Sequence, residues 1–262
     1  MEKHLLVATI PLGDMTKILY LVPGLMDKME QTRREKIANN WVSNGVLVEV
    51  KAVDDGPISI ESSVEEDIAA ASVLRAIIRF QKSYDAIVLG CAGDPGLRAA
   101  KELAMIPIVG PAESSIAFSS LVGDRFGVIV PLDRDIPTMR ALTVRYGFDG
   151  RLASVKALNV PVLDLARDIP IVKEKVAEAC NSAVADGADV IVLGCMSLAF
   201  ILADELVKDK VKVPVLNPAK IAVKAAEVLA QFKLVQSRTS YPLADYQKLA
   251  RSVFREELRD VL

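Results

Sequence analysis

The chain has 262 residues, of which 52% are apolar, 25% charged and 5% aromatic, enough for one large domain or two ordinary ones with separate cores. Its 32 basic and 34 acidic residues leave no basic excess of the kind nucleic-acid binding draws on, and no apolar run approaches the roughly 18 residues of a membrane helix. A single histidine, His4, argues against a His-based zinc centre and a Ser-His-Asp triad. Neither G-x-x-x-x-G-K-[ST] nor G-x-G-x-x-G after a strand occurs, so chemistry falls to carboxylates, lysines, hydroxyls or thiols.

In chain order, residues 1–16 carry a short apolar run, Leu5 to Ile10, which reads as an edge strand or a surface segment. They have no basic leader and no small-residue cleavage site, which argues against a signal peptide. Lys17 to Val22 reads as a buried strand closed by Pro23-Gly24. Met29 to Asn44 follows as a helix with Asn44-Gly45 as its C-cap. Val46 to Val50 is a second strand, and Asp54-Asp55 before Gly56-Pro57 reads as a turn rather than a metal pair. Ser59 to Ser63 opens a helix over Asp67 to Phe80, and Ala86 to Leu89 is a third strand. Apolar strands without alternation, separated by helices, predict a parallel sheet covered on both faces. The tail, Gln236 to Leu262, contains a helical stretch, Tyr246 to Leu258, suited to docking on a lobe or on a neighbouring subunit.

The chain repeats itself. Tyr84-Asp85-Ala86-Ile87-Val88-Leu89-Gly90-Cys91 returns 104 positions later as Ala188-Asp189-Val190-Ile191-Val192-Leu193-Gly194-Cys195. Ile106 to Glu113 is matched by Val213 to Lys220, and Leu21-Val22-Pro23 by Ile129-Val130-Pro131. Three landmarks in one order at nearly constant offset predict two similar α/β lobes.

Each Ile-Val-Leu-Gly strand delivers a cysteine at its C-terminal end, where parallel sheets bind ligands. Asp94 is expected as an N-cap with Pro95 at the first helical position, and Ser197 as the cap after Cys195. That places each thiol near a helix start, where N–H groups favour a thiolate. A lone cysteine after a buried strand is ordinarily a small core residue, but two at repeat-equivalent positions would face each other across a shared cleft. Racemisation needs that geometry: one group removes a proton from one face of a carbon acid, and the other returns one to the opposite face. Candidate catalytic residues are therefore Cys91 and Cys195. The strand-end loops Pro23, Gly24, Leu25, Ala92, Gly93, Pro131, Leu132, Met196 and Ser197 are candidate substrate-binding positions, with Gly24 and Gly93 allowing close backbone approach. Cys180, in a helical run without a repeat partner, reads as structural. Glu113 either orients the cleft or complements a helix dipole, and Asp133, Arg134 and Asp135 read as a solvated loop ahead of the alternative that they meet an ionic substrate. Three cysteines without short-spaced pairs predict reduced thiols and a cytoplasmic location.

These residues resemble the aspartate/glutamate/hydantoin racemase superfamily, most of all its hydantoin racemase branch. Asp55-Gly56-Pro57-Ile58-Ser59-Ile60-Glu61-Ser62 is similar to that branch's G-P-x-S-I-E segment. Gly90-Cys91-Ala92-Gly93-Asp94-Pro95-Gly96-Leu97 is similar to its G-C-x-x-D-P-G-L motif. Pro107 to Gly110 with Glu113, and Val190 to Cys195, extend the likeness over roughly residues 17–230. The resemblance implies two pseudo-twofold-related Rossmann-like lobes, each a mainly parallel four-stranded sheet flanked by helices, with the active site in the cleft between them. The first lobe would comprise residues 1–112 plus 218–262 and the second 113–217. It further implies catalysis by the two cysteines on a small carbon acid, hydantoin-like or amino-acid-derived, with no metal or organic cofactor, no nucleic-acid or membrane partner, and a homo-oligomer. Where the family commonly has P-N-T-S after its first strand, this chain has Pro23-Gly24-Leu25. Val130-Pro131-Leu132 and Met196-Ser197 similarly replace hydroxyl residues and Ala-Gly. The expected substrate is correspondingly less polar or differently shaped. Alternatives are an unsaturated-diacid cis–trans isomerase, a decarboxylase and a non-catalytic binding protein with the same cleft. Two retained cysteines count against decarboxylation, which relatives manage with one thiol.

Overall fold

A computed structural model of the chain describes residues 15–254. The strands are β1 (Thr16–Val22), β2 (Val46–Ala52), β3 (Ala86–Leu89), β4 (Ile108–Val109), β5 (Phe126–Val130), β6 (Leu152–Ala157), β7 (Val190–Leu193) and β8 (Val215–Leu216). The helices are α1 (Lys28–Asn39), α2 (Ser63–Phe80), α3 (Leu97–Leu103), α4 (Pro111–Ser119), α5 (Ile136–Arg145), α6 (Ile169–Ala185), α7 (Met196–Phe200), α8 (Ala203–Leu206), α9 (Pro218–Gln231) and α10 (Tyr246–Ser252). The strands form two parallel four-stranded sheets, ordered β2-β1-β3-β4 and β6-β5-β7-β8.

Central strands β3, β5 and β7 are buried along their whole length, as is β1 from Ile18 onward, because helices cover both faces. In each sheet the chain winds first to one side of the opening strand and then crosses to the other. The switch therefore falls between β1 and β3, and again between β5 and β7. Loops leaving the C-terminal ends of those neighbouring strands diverge and leave a crevice. Cys91 and Cys195 stand at the two switch points.

The lobes exchange cover. Ala112 and Ile116 of α4 pack on the second sheet with Phe126, Val128 and Val192. Ala219, Ala222, Val223 and Ala226 of α9 return to the first sheet, beside Met196 and Phe200 of α7. The tail docks on the first lobe. Gln236 Nε2 donates to the carbonyls of Lys101, Ala104 and Ile106, and Phe254 is buried against that lobe's other face. Its helix α10 begins at Tyr246 as expected and ends at Ser252. Val253 and Phe254 leave the helix, so the expected helix is shorter there; its residues 255–258, and the Leu5 to Ile10 run, lie outside the described residues.

Several local expectations change. Helix α1 stops at Asn39 rather than Asn44. The Asn39 side chain donates to the Val48 carbonyl and accepts its N–H, at 2.7 and 3.0 Å, pinning the helix end to β2. Trp41 and Val42 then turn in against the first-lobe core, and Gly45 takes φ +85° in the turn that follows. Helix α2 begins at Ser63. Ser62 caps it by accepting the Glu65 N–H, and the Glu65 carboxylate accepts the Glu61 N–H.

Asp94 does not cap its own helix. Helix α3 starts later, at Leu97 after Gly96 (φ +68°), so Pro95 is not its first residue. The Asp94 carboxylate is turned inward and caps α4 instead, accepting the Ala112 and Glu113 N–H groups at 3.1 and 2.8 Å. It also takes the Tyr146 hydroxyl from α5's C-cap at 2.7 Å. Burial pushes this carboxyl up to about 7 while the three donors pull it down. The residue thus ties the loop after Cys91 to the second lobe. Glu113 faces Lys101 in a 2.5 Å ion pair and lies outside the cleft. Asp54 pairs with Arg79 in the turn before Gly56, and Cys180 is buried within α6.

Candidate active site

A cavity of about 570 Å³ opens between the lobes, and Cys91 and Cys195 both line it. Their placement is symmetric. The Gly90 N–H donates to Leu21 O and the Gly194 N–H to Ile129 O, each at 2.7 Å, so each cysteine leaves its sheet from the same hydrogen-bonded step. Both glycines are required by close approach. A Cβ at Gly90 would lie 2.8 Å from Leu21 O and from the Tyr20 ring, and one at Gly194 would lie 2.9 Å from Val130 Cγ1 and 3.0 Å from Ile129 O.

The thiols differ in surroundings. Cys91 is half-buried and its sulfur accepts the Gly93 N–H at 3.4 Å. Burial pushes its thiol up to about 12, and Cys195, Asp94 and Glu66 add to the rise. Cys195 is buried at the N-cap of α7, displacing Ser197 from the expected capping role. Burial raises its thiol too, against the N–H groups of Leu198 and Ser197 and the Arg34 guanidinium, which favour the thiolate. Cys195 is the better placed of the two to hold negative charge.

Of the expected binding positions, Pro23, Gly24, Leu25, Ala92, Gly93, Pro131, Met196 and Ser197 line the cavity. Leu132 does not. Its N–H turns to the Asp135 carboxylate at 3.0 Å, starting the short turn Asp133–Asp135. Close backbone approach is real at Gly24, where a Cβ would strike the Pro57 carbonyl. At Gly93 nothing lies nearer than 3.6 Å. Arg134 and Asp135 face the cavity rather than only solvent, while Asp133 is exposed and pairs with Asn159.

Sequence patterning missed the charged lining. Arg33 and Arg34 of α1 both grip Glu30, at 2.6 and 2.8 Å, and hold its carboxyl down at about 2 against the cost of burial. Glu66 of α2 faces Cys91's loop, its carboxyl raised by burial. The available signal was the buried stripe Gln31, Arg34, Ala38 on α1, where polar residues occupy positions that ordinarily hold apolar ones. The lining carries five acidic residues (Asp27, Glu30, Glu61, Glu66, Asp135) against three arginines (Arg33, Arg34, Arg134), with an apolar wall including Leu25, Ile58, Met139 and Leu163.

One hydrogen bond crosses the cleft at this wall. Glu61 Oε1 accepts the Val162 N–H at 2.9 Å. Glu61→Ala is expected to raise KM about five- to tenfold and to reduce stability by about 1 kcal/mol, since one charge-assisted bond at a partly exposed position is lost. Steady-state kinetics alongside thermal melting checks both. A melt shift without a KM change would show that the bond does not shape the cavity.

The family model for Asp/Glu/Hydantoin racemase matches residues 28–226. The chain belongs to this family. Among its relatives in the family, the hydantoin racemase of Paenarthrobacter aurescens is 33% identical over 235 residues, 88% of this chain and 97% of that protein. The allantoin racemase of Klebsiella pneumoniae is 32% identical with a TM-score of 0.80, over 88% of this chain and 94% of its own. A glutamate racemase from Francisella tularensis, at 15% identity and TM-score 0.59 over 86% and 84% of the two chains, shares the fold. This family member is an isomerase of the racemase type with two four-stranded parallel sheets, as expected from its sequence. Among the described residues no helix is long and apolar enough to cross a membrane, and no group of three or more His, Cys, Asp or Glu side chains is arranged to hold a metal.

Proposed function

We propose that the protein interconverts the enantiomers of a 5-substituted hydantoin or a closely related ring, with Cys91 and Cys195 as opposed acid and base. The observation that carries this is the shared cavity, into which repeat-equivalent strand ends present one thiol each. One sulfur, as thiolate, takes the proton from the ring carbon next to the carbonyl. The C–H electron pair moves into the carbonyl as an enolate, and the other thiol protonates that carbon from the opposite face. The thiol that gave its proton is left as thiolate, so the reverse turnover runs from that state. The Gly93 N–H at Cys91 and the Ser197 and Leu198 N–H groups at Cys195 favour the thiolate form of the sulfur that serves as base. These steps use only groups of the chain and the substrate.

The charge balance of the lining favours a ring over a diacid. Five carboxylates against three arginines, one of whose partners is the embedded Glu30, disfavour a substrate with two free carboxylates, which weakens the cis–trans isomerase alternative. Related hydantoin and allantoin racemases support the ring class. The apolar wall and Pro23-Gly24-Leu25 loop support a substituent less polar than the ureido group of allantoin. The division into lobes 1–112 plus 218–262 and 113–217, a cytoplasmic location and a homo-oligomer complete the proposal. The return of α9 and the tail to the first sheet supports the first of these.

The test is incubation with enantiopure 5-isopropyl- and 5-benzylhydantoin and with allantoin in D₂O. Optical rotation is followed for racemisation and NMR for loss of the ring proton. Loss of rotation with deuterium uptake, faster for the apolar substituents, is expected. No uptake with any ring would overturn the proposal.

A further inference from the structure

Of the three arginines in the cavity lining, Arg34 is the buried one, only 8% exposed. Taking a charge out of water has a cost that a partner must offset, and here the partner is shared. Glu30 accepts Arg34 Nε at 2.8 Å and is also held by Arg33 through Nε and Nη2. Two guanidiniums on one carboxylate leave one positive charge unbalanced. Arg33 is exposed and spends its Nη1 on the Phe200 carbonyl, while the exposed Asp27 carboxylate is occupied by the Glu30 N–H. Arg34 Nη1 and Nη2 have no hydrogen-bond partner among the described residues, and neither is sealed from solvent, so both open onto the cavity. The buried Tyr20 hydroxyl lies close enough to act on the guanidinium but makes no hydrogen bond with it. Two contacts fix the fork: Nε on Glu30, and Cζ 4.8 Å from the ring centroid of Phe200 on α7, the helix that Cys195 begins. Pro23-Gly24-Leu25, Ala92-Gly93 and Pro131 bring no polar side chain to the same cavity.

We propose that Arg34 binds the ring carbonyl beside the reacting carbon and bears the charge that forms on its oxygen. The inference rests on the two-thiol reading of the cavity and gives that reaction its electrophile. As the thiolate takes the ring proton, the C–H electron pair passes through the carbon into the carbonyl. The oxygen gains negative charge, and the Nη groups, unpaired in the resting site, meet a strong acceptor. The guanidinium keeps all its protons, and the charge leaves the oxygen when the other thiol protonates the carbon. Donors held in place before the charge develops act mainly on the transition state rather than on the neutral ring.

Arg34→Met removes the fork and strands no carboxylate, because Glu30 keeps Arg33. The expected result is a kcat lower by about 100-fold, with KM changed less than about threefold. Binding gives a readout that a structural role would not move. Parabanate, an acidic planar ring with a trigonal carbon in place of the C–H, stands for the enolate; unsubstituted hydantoin stands for the neutral ring. By calorimetry at neutral pH, the native protein is expected to bind parabanate about tenfold more tightly than hydantoin. Arg34→Met should lose about tenfold for parabanate and under about threefold for hydantoin. If Arg34→Met does not fold, Arg34→Lys, which keeps a charge without the fork, carries the same comparison with a smaller loss in the same direction. Equal losses for the two rings, or native binding of parabanate no tighter than of hydantoin, overturn the role of Arg34. Calorimetry needs no turnover, so this outcome is separate from failure of the two-thiol proposal, which shows as ring-proton exchange that survives loss of both cysteines.

Discussion

Cys91→Ser and Cys195→Ser are each expected to lower racemisation by about 10³-fold or more, equivalent to about 4 kcal/mol of transition-state stabilisation. A hydroxyl is close to a thiol in shape and a far weaker acid, so the packing survives while proton transfer on one face is lost. The two variants should fail in opposite senses. With Cys195 retained, the enantiomer whose proton faces Cys195 still exchanges with D₂O, because that sulfur removes a proton and returns a deuteron to the same face. With Cys91 retained, the other enantiomer does so. Mirror-image exchange read by NMR would assign each thiol to its face. If either variant keeps racemisation within tenfold of the native enzyme, the opposed-thiol mechanism is wrong. The pH dependence follows from the same environment. Both thiols are raised by burial, Cys91 to about 12, so the thiolate is a minority form at neutral pH. Because the deprotonated sulfur is the base, kcat/KM is expected to climb as pH rises from 7 to 9, and to fall only where the second thiol also loses its proton.

Gly90→Ala is expected to cost about 3 kcal/mol or more, near the upper end of overpacking effects, since the atoms in the way include backbone. The new methyl would stand 2.8 Å from Leu21 O and the Tyr20 ring and 3.1 Å from Val22 Cα. It can be admitted only by prising β3 from β1 and breaking the 2.7 Å Gly90 N–H to Leu21 O bond. Cys91 would move with it, so activity should collapse before the fold does. Gly150→Ala is the control: nothing lies within 4 Å of its Cβ position, and the expected change is under about 0.5 kcal/mol. Denaturant midpoints for the two variants decide the matter. A loss below about 1 kcal/mol at Gly90 would mean that the strand junction yields more easily than the contacts imply.

The two lobes were legible because parallel strands covered on both faces must be apolar throughout. The runs at Ile18 to Val22, Ala86 to Leu89, Phe126 to Val130 and Val190 to Leu193 therefore stand out as strands whatever surrounds them. Gly90-Cys91 and Gly194-Cys195 stood out for a related reason. The junction tolerates no side chain before the cysteine, which leaves a repeat visible at single-residue resolution. Helix starts carried by Ser62 and strand ends carried by Pro23 and Pro131 are local chemistry, readable within a few residues.

Other features depend on partners distant along the chain. Asp94 had the local pattern of an N-cap, yet its acceptors are filled by Ala112, Glu113 and Tyr146, the last from the opposite lobe. Arg34, Glu61 and Glu66 looked like ordinary members of a helix face, a turn and a first helical turn. They acquire their surroundings only when α1 and the start of α2 close around one cavity. What the sequence by itself determined was the duplicated α/β framework and the placement of one thiol at each switch point, because strand burial and backbone crowding act over a few residues. What only the tertiary structure decided was which helix covers which sheet, and which charges gather about the two sulfurs. Those depend on side chains meeting across a hundred residues or more, and no local periodicity records such meetings.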